Sequence, residues 1–338
     1  MGDNTHKVFK AYDRSYFAVL KKEIHNIAAN AGFIPARTAE IDIIVAELTS
    51  NLSKHAGGGE LLVKQVELNN QKGIEIICID KGPGISDLAS KMKDGTSSSQ
   101  TLGLGLGAIS RLSDFLQIYT LKGWGTIILV RIFLRSAGTA SKIEKPEIRS
   151  IVFPISGETF CGDAFFSKVT PGSIKLFLGD GLGHGVHAAE AVRLAGEAFM
   201  ASDEEDPVEI IRTISAAVKK SRGLVGSVAV FDTKAKRWRM CGVGNIMTKM
   251  TGPSTSKHYI AYNGIIGLNV PRTMNSQEVA YEKGQTIIMC SDGIRSRWDL
   301  LKYQGIMRYD LSIVTASVLK DFGRNTDDTS IAACKINL

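Results

Sequence analysis

A chain of 338 residues is longer than one hydrophobic core usually serves, so two domains of roughly 150 residues each are expected. Apolar residues make up 44% and charged ones 22%, the balance of an ordinary globular protein, and apolar runs such as Ile127 to Val130 are far too short to span a bilayer. The net charge of +7 is mild and spread along the chain, with no Lys/Arg block, so charge argues for neither a nucleic-acid nor a membrane partner.

The N-terminus lacks the apolar stretch of a secretory signal, and His6 stands where a myristoylation start wants Ser or Thr. Five cysteines are scattered without a C-x-x-C pair, and Cys78, Cys290 and Cys334 lie inside apolar runs. Buried free thiols in a reducing, cytoplasmic setting are expected rather than disulfides or zinc ligands.

In chain order, the pattern predicts helices over about Tyr16 to Asn30 and Ala36 to His55, then strands over Leu61 to Leu68 and Gly73 to Ile79. A glycine loop, a helix (Leu106 to Phe115) and strands near Leu116 to Thr120 and Thr126 to Phe133 follow. Residues 136–150, with Gly, Pro and mixed charges, read as a linker between domains at 1–135 and 151–338. Beyond it strands dominate, interrupted by a helix from Val186 to Ala201 and a second helix. Asp206 is the expected N-cap of that second helix, with Pro207 at its first position and Glu209 as capping-box partner.

Glu47, Asn51 and Lys54 fall within about 60° of one another at 100° per residue, beside the apolar stripe of Ile41, Val45, Leu48 and Leu52. A carboxylate and a carboxamide one turn apart suit a base and an oxygen ligand for Mg²⁺, although the same residues would serve as a solvated helix face. The apolar strand Ile74 to Ile79 stops at Asp80-Lys81-Gly82-Pro83-Gly84, a turn that lets backbone approach a flat ligand. Gly103, Gly105 and Gly107 then lead into a helix, leaving amide N–H groups for phosphate oxygens. A dinucleotide-type reading of these glycines would need a strand directly before Gly103, where a Ser/Thr-rich loop stands instead.

These three motifs, in this order, resemble the GHKL (Bergerat) ATP-binding fold, and the phrase EL-x-x-N-x-x-x-HAGGG resembles the small RsbT-type anti-sigma-factor serine kinases. The resemblance implies that Asp80 binds the adenine amino group, Asn51 holds Mg²⁺ and Glu47 activates the substrate hydroxyl. Lys54, Gly82, Gly84, Gly103, Gly105 and Gly107 would contact the ATP. His25, on the first helix, is expected to be structural.

In the second half, acidic residues recur at the ends of apolar strands: Asp163 after Phe160-Cys161-Gly162, Asp180 after IKLFLG, Asp292 after TIIMCS, and Asp327-Asp328 before the final strand. One Asp-Gly is an ordinary turn, but several carboxylates fixed at strand ends form a hard-cation site. Their order, with Gly244-Asn245-Ile246, SDGIRSRWD and GRNTDDTSIA, resembles the SpoIIE family of metal-dependent serine/threonine phosphatases and its RsbX-like members. That resemblance implies two Mn²⁺ or Mg²⁺ ions held by Asp163, Asp180, the Gly181 carbonyl, Asp292 and Asp327. The chain departs from larger relatives where Ala164-Phe165-Phe166 follows the first Gly-Asp. His184 and His187 are half of a zinc site at most, and His184 is expected to line the phosphatase cleft.

The expected architecture is α/β (α+β), an N-terminal Bergerat-type α/β sandwich followed by a phosphatase-type αββα sandwich. The implied function is phosphorylation and dephosphorylation of a small regulatory protein, an anti-anti-sigma (STAS) domain or stressosome component in a partner-switching pathway. An alternative makes the first domain a non-catalytic ATP-binding module that docks a partner or a sigma factor. A homodimer is possible on the same resemblance.

Overall fold

The structure, a computed structural model, describes residues 5–88, 105–135, 146–252 and 256–336. It divides into two compact units, Met1–Lys142 with Tyr303–Ser317, and Ile143–Lys302 with Val318–Leu338. Among the described residues no helix is long and apolar enough to cross a membrane.

The first unit opens with a short strand, β1 (Lys7–Lys10), which the apolar pattern does not announce. Helix α1 (Phe17–Asn30) buries Leu20, Ile24 and Ala28, one residue per turn. Helix α2 (Pro35–Asn51) starts with proline at its first turn, where no donor is lost, and buries Ile41, Ile44, Val45 and Leu48. His25 Nδ1 lies 2.9 Å from Asp42 Oδ2 and ties α1 to α2, the structural role expected of it. The helix predicted to run to His55 instead ends at Asn51 and continues as a π-helical turn, Leu52–Ala56, closed by Gly57 at φ 70°.

Five antiparallel strands follow in spatial order β1-β2-β3-β5-β4: β2 (Gly59–Leu68), β3 (Gln71–Asp80), β4 (Phe115–Leu121) and β5 (Gly125–Phe133) beside β1. Alternate residues, among them Leu61, Val63, Ile74, Ile76, Cys78, Ile128, Val130 and Ile132, join one core with α1, α2 and α3 (Gly105–Leu112). The opposite face is also buried, which accounts for the unbroken apolar run of β5.

That second face carries Glu75 and Arg131, both almost fully buried. Arg131 donates from Nε to Glu75 (2.7 Å) and through both terminal nitrogens to Asp310 (2.7 and 2.8 Å), while the Ser312 hydroxyl donates to Glu75 (3.0 Å). Gln117 accepts from the Asp310 amide, and the Tyr119 ring meets Tyr309 edge-on. The segment Tyr303–Ser317 is thus part of the first unit's fold, although it is distant in sequence. Burial opposes charge on Glu75, yet Arg131, His6 and Lys64 together hold its carboxyl well below the usual range. A depressed carboxyl contributes stability that is complete above its ordinary pKa and lost as pH falls through the folded value. Arg131→Ala should therefore destabilise the first unit by about 3–5 kcal/mol and move its acid unfolding to higher pH, both read by denaturant titration. A wild-type denaturation midpoint in that variant would contradict the bridge's role.

The second unit contains two five-stranded antiparallel sheets. One runs β13-β10-β9-β8-β7: β7 (Asp163–Val169), β8 (Ser173–Gly181), β9 (Leu224–Asp232), β10 (Arg237–Val243) and β13 (Gln277–Ala280). The other runs β12-β11-β14-β15-β6: β6 (Glu147–Phe153), β11 (Met247–Thr251), β12 (Ser256–Tyr259), β14 (Thr286–Cys290) and β15 (Thr329–Lys335). Leu176, Leu178, Trp238, Met250, Ile287, Met289 and Cys334 fill the space between the sheets. Phe177 and Val228 point the other way, into a core with α4 (Val186–Ala201) and α5 (Pro207–Ala217). A last helix, α6 (Leu311–Phe322), precedes β15.

Asp206 caps α5 by accepting from the Val208 amide (2.7 Å), as its position suggests. Glu209 does not complete a capping box; its carboxylate takes Arg212 one turn on. Strand β6 begins at Glu147, inside the stretch whose charges read as linker, because pairing with β15 from Glu147↔Lys335 onward supplies its backbone bonds whatever the side chains. As an edge strand it tolerates those charges. Residues 136–145 lie outside the described residues.

Candidate functional site

In the first unit Glu47 and Asn51 occupy the end of α2, both half-buried. Lys54 lies in the π-helical turn that follows and is exposed. Asp80 is the last residue of β3, and its Oδ1 accepts the amides of Gly82 (2.8 Å) and Thr126 (3.1 Å). A Cβ on Gly82 would lie 2.9 Å from Ala56 Cβ and 3.1 Å from the His55 carbonyl, so the Asp80 turn rests on the π-helical turn that ends α2. The motif residues of two distant stretches are thereby brought together.

Gly84, at φ 78°, leaves no room for a side chain, since its Cβ would stand 2.3 Å from the Leu121 carbonyl. Gly105 opens α3 with no neighbour of its Cβ position within 4 Å among the described residues, and Gly107 is buried in the same helix. Gly103 lies outside the described residues. The residues missed from sequence are Thr120, Gly125 and Thr126. Thr126 donates its amide to Asp80, and Thr120 Oγ1 accepts the Ile85 amide. Gly125, at φ 118°, lets the backbone pass where a Cβ would be 2.2 Å from the Asp80 carbonyl. The Gly-Thr pair before the apolar run Ile127 to Val130 was the available signal.

In the second unit the antiparallel register sets Asp163, the first residue of β7, directly opposite Asp180 on β8. Asp163 is buried and its Oδ2 has no hydrogen-bond partner among the described residues. Its carboxyl is pushed up to about 7, first by burial and further by Asp328 and Asp292, against the opposing pull of the Ser291 and Ser330 hydroxyls. Asp180 is pushed up to about 9 by burial and by Asp163, Asp292, Asp327 and Asp328. Asp292 accepts from Asn245 Nδ2 (3.1 Å) just past β14.

Asp328 braces this rim, a role not separated from that of Asp327 in the sequence. Its two oxygens accept the Ile155 amide (2.7 Å) and the Gly162 amide (2.6 Å), while Asp327 Oδ1 accepts the Asp328 amide. The Gly162 carbonyl in turn accepts the Gly181 amide (2.9 Å). Helix α4 lies so close that a Cβ on Gly181 would be 2.4 Å from the Ala188 carbonyl. His184 is exposed, with Nδ1 2.7 Å from Glu158 Oε1, and His187 is exposed on α4.

Among the described residues no three Asp, Glu, His or Cys side chains close into a metal cage; the carboxylates stand within electrostatic range of one another instead. An unpartnered buried carboxylate oxygen, and two carboxyls whose charge is opposed by burial and by like neighbours, fit a site completed by a hard divalent cation.

The histidine kinase-like ATPase domain family matches residues 11–132, and the stage II sporulation protein E (SpoIIE) family matches residues 170–302. The serine/threonine-protein kinase RsbT of Bacillus subtilis (strain 168) is 38% identical over 110 residues, 32% of this chain and 83% of RsbT. Through its N-terminal part, the chain belongs to the RsbT kinase family. The phosphoserine phosphatase RsbX of the same organism is 27% identical over 154 residues, 45% of this chain and 77% of RsbX. RsbT-like and RsbX-like sequences are therefore fused in one chain. A structure solved for work on the bacterial stressosome, a modular system adapted to control secondary messenger signalling, is 28% identical with TM-score 0.54, covering 57% of this chain and 100% of its own. A structure of RsbX in complex with magnesium, 23% identical with TM-score 0.52, shares the fold over 58% of this chain and 98% of its own.

The brace makes a direct prediction for the RsbX-like part. Asp328→Ala strands two amides and should cost about 1–3 kcal/mol for each, whereas Asp328→Asn, which keeps one acceptor, should cost about half as much. Equilibrium unfolding of the two variants measures the difference.

Proposed function

We propose that the chain is a bifunctional regulator: residues 1–135 transfer phosphate from ATP to a serine or threonine of a partner protein, and residues 151–338 remove it. Five aspartates gathered at one rim of the second unit, with Asp163 set opposite Asp180, carry this reading most strongly. Asp163, Asp180, the Gly181 carbonyl, Asp292 and Asp327 would hold Mn²⁺ or Mg²⁺. Bound divalent cations would supply a water acidified for in-line attack on phosphorus. The chain's own contribution is to fix carboxylate oxygens at rigid strand ends, with Asp328 and Gly162 locking the loop from which β7 starts.

In the RsbT-like part, Asp80 would read the adenine amino group, Asn51 would hold Mg²⁺, and Gly82, Gly84, Gly103, Gly105 and Gly107 would wrap the nucleotide. Glu47, half-buried one turn before Asn51, would take the proton from the substrate hydroxyl. Because phosphoryl transfer is mostly positioning and charge neutralisation, that inventory suffices. The partner would be a small STAS-domain anti-anti-sigma or stressosome protein in the cytoplasm, as the RsbT and stressosome likenesses suggest.

The second reading keeps ATP binding but makes the first domain a docking module, for a partner or a sigma factor, that gates the phosphatase. The half-buried base argues against it, because a sensor needs none. Glu47→Ala should abolish transfer from γ-labelled ATP to the partner and leave ATP affinity within about threefold, since the lost contact is made to the transferring proton. Undiminished transfer would remove Glu47 from the mechanism. In parallel, Asp180→Asn should eliminate divalent-dependent hydrolysis of a phosphoserine protein, and activity surviving that change would place the metal site elsewhere.

A further inference from the structure

We propose that nucleotide bound in the first unit regulates the cation site of the second through helix α6, a regulation that rests on the ATP-binding reading above. The helix is shared: its residues 311–317 belong to the first compact unit and residues 318–322 to the second. Each of its ends is bonded to an element that leads directly to one of the two sites.

At the first end, Asp310 Oδ1 accepts the Ser312 amide (2.9 Å) and so caps the helix, while Arg131 grips the same carboxylate and Gln117 accepts the Asp310 amide. Just before the cap, the Tyr309 ring meets Tyr119 (centroids 5.1 Å) and the Tyr303 ring meets Trp124 (5.7 Å). Tyr119 also donates its hydroxyl to the Gln304 carbonyl (3.3 Å). Tyr119 lies on β4 and Trp124 in the turn to β5, and that turn is pressed against the Asp80 motif. The Gly123 amide donates to the Pro83 carbonyl (2.8 Å), and a Cβ on Gly125 would stand 2.2 Å from the Asp80 carbonyl. A nucleotide seated on Asp80 and the glycines after it therefore meets a hairpin that holds the start of α6.

At the other end, Arg324 donates its amide to the Gly293 carbonyl and Arg295 donates its own to the Phe322 carbonyl, both at 2.9 Å. Gly293 directly follows Asp292, and a Cβ on it would stand 2.3 Å from the Asp328 carbonyl. The loop that carries Asp292 is thus pinned between the end of α6 and the start of β15. Between these ends, residues 311–319 are all buried, so the close-packed helix has no room to slip or bend locally. Binding that orders one end of such an element leaves less freedom to lose at the other, which is a coupling free energy between the two sites. Nucleotide steadies the hairpin, the hairpin steadies α6, and α6 steadies the Asp292 loop, so nucleotide raises the rim's affinity for its cation. By linkage, the cation raises nucleotide affinity by the same factor.

The test is amide hydrogen exchange on the full chain at fixed free Mg²⁺, with and without ADP. ADP should slow exchange at Gly82 and Thr126, whose amides donate to Asp80. It should also slow Arg295 and Arg324, whose amides bond the end of α6 to the Asp292 loop, by about fivefold. Tyr309→Ala, and the milder Gln117→Ala, should keep the first effect and lose most of the second. Slowing confined to Gly82 and Thr126 in wild type overturns the coupling and leaves the ATP-binding reading intact. No slowing at any of the four amides removes that reading and the coupling with it. Slowing at Arg295 and Arg324 that persists undiminished in both variants overturns α6 as the route.

Discussion

The register between β7 and β8 sets the terms for the whole second unit. It places Asp163 and Asp180 across from each other where the strands end, in surroundings that oppose charge on both, and three more aspartates from the β14 and β15 ends add to the repulsion. A protein gathers carboxylates in this way at a cost in stability, and such clusters persist where a cation or a reaction uses them. Much of the local backbone serves to keep them there. Asp328 fastens two amides, the Gly162 carbonyl fastens a third, and glycines at 162 and 181 allow α4 to come within contact distance.

The first unit solves a related problem with less charge. One carboxylate, Asp80, is held at a strand end by two amides, and the turn after it leans on the π-helical end of α2. Glycines at 82, 84 and 125 matter because the backbone approaches backbone at each; they bring the strand end, the β4–β5 hairpin and the helix end into one small region. A buried charge cluster sits on the opposite face of the sheet, where Arg131 is satisfied by Glu75, Asp310 and Ser312.

How much of this could be read from the sequence depended on range. Asp180 and Asp292 were legible because an apolar run followed by Asp-Gly announces both the strand and where it stops, whereas Asp163, expected to follow a strand, instead begins β7. Helix α6 was not read from the sequence, whereas α1 to α5 were legible, and α4 runs over the residues expected of it. The end of α2 was not, since the spacing that joins Glu47 to Asn51 holds no information about whether the next turn is α or π. Asp327 and Asp328 look equivalent in sequence, and only the fold shows that one braces two amides. Arg131 in the middle of an apolar strand was a visible sign of a buried partner, but nothing local could name Asp310, 179 residues away.

The account's central claim is that the acidic rim is a cation site whose carboxylates repel one another until a cation binds. The melting temperature of the second unit, with chelator and with Mn²⁺, in wild type and Asp180→Asn, tests this most directly. The account predicts that Asp180→Asn is the more stable protein in chelator, having lost a carboxyl whose ionisation the folded rim opposes, and that wild type alone gains substantially from Mn²⁺. An Asp180→Asn protein that is less stable in chelator, and that responds to Mn²⁺ as wild type does, would contradict it.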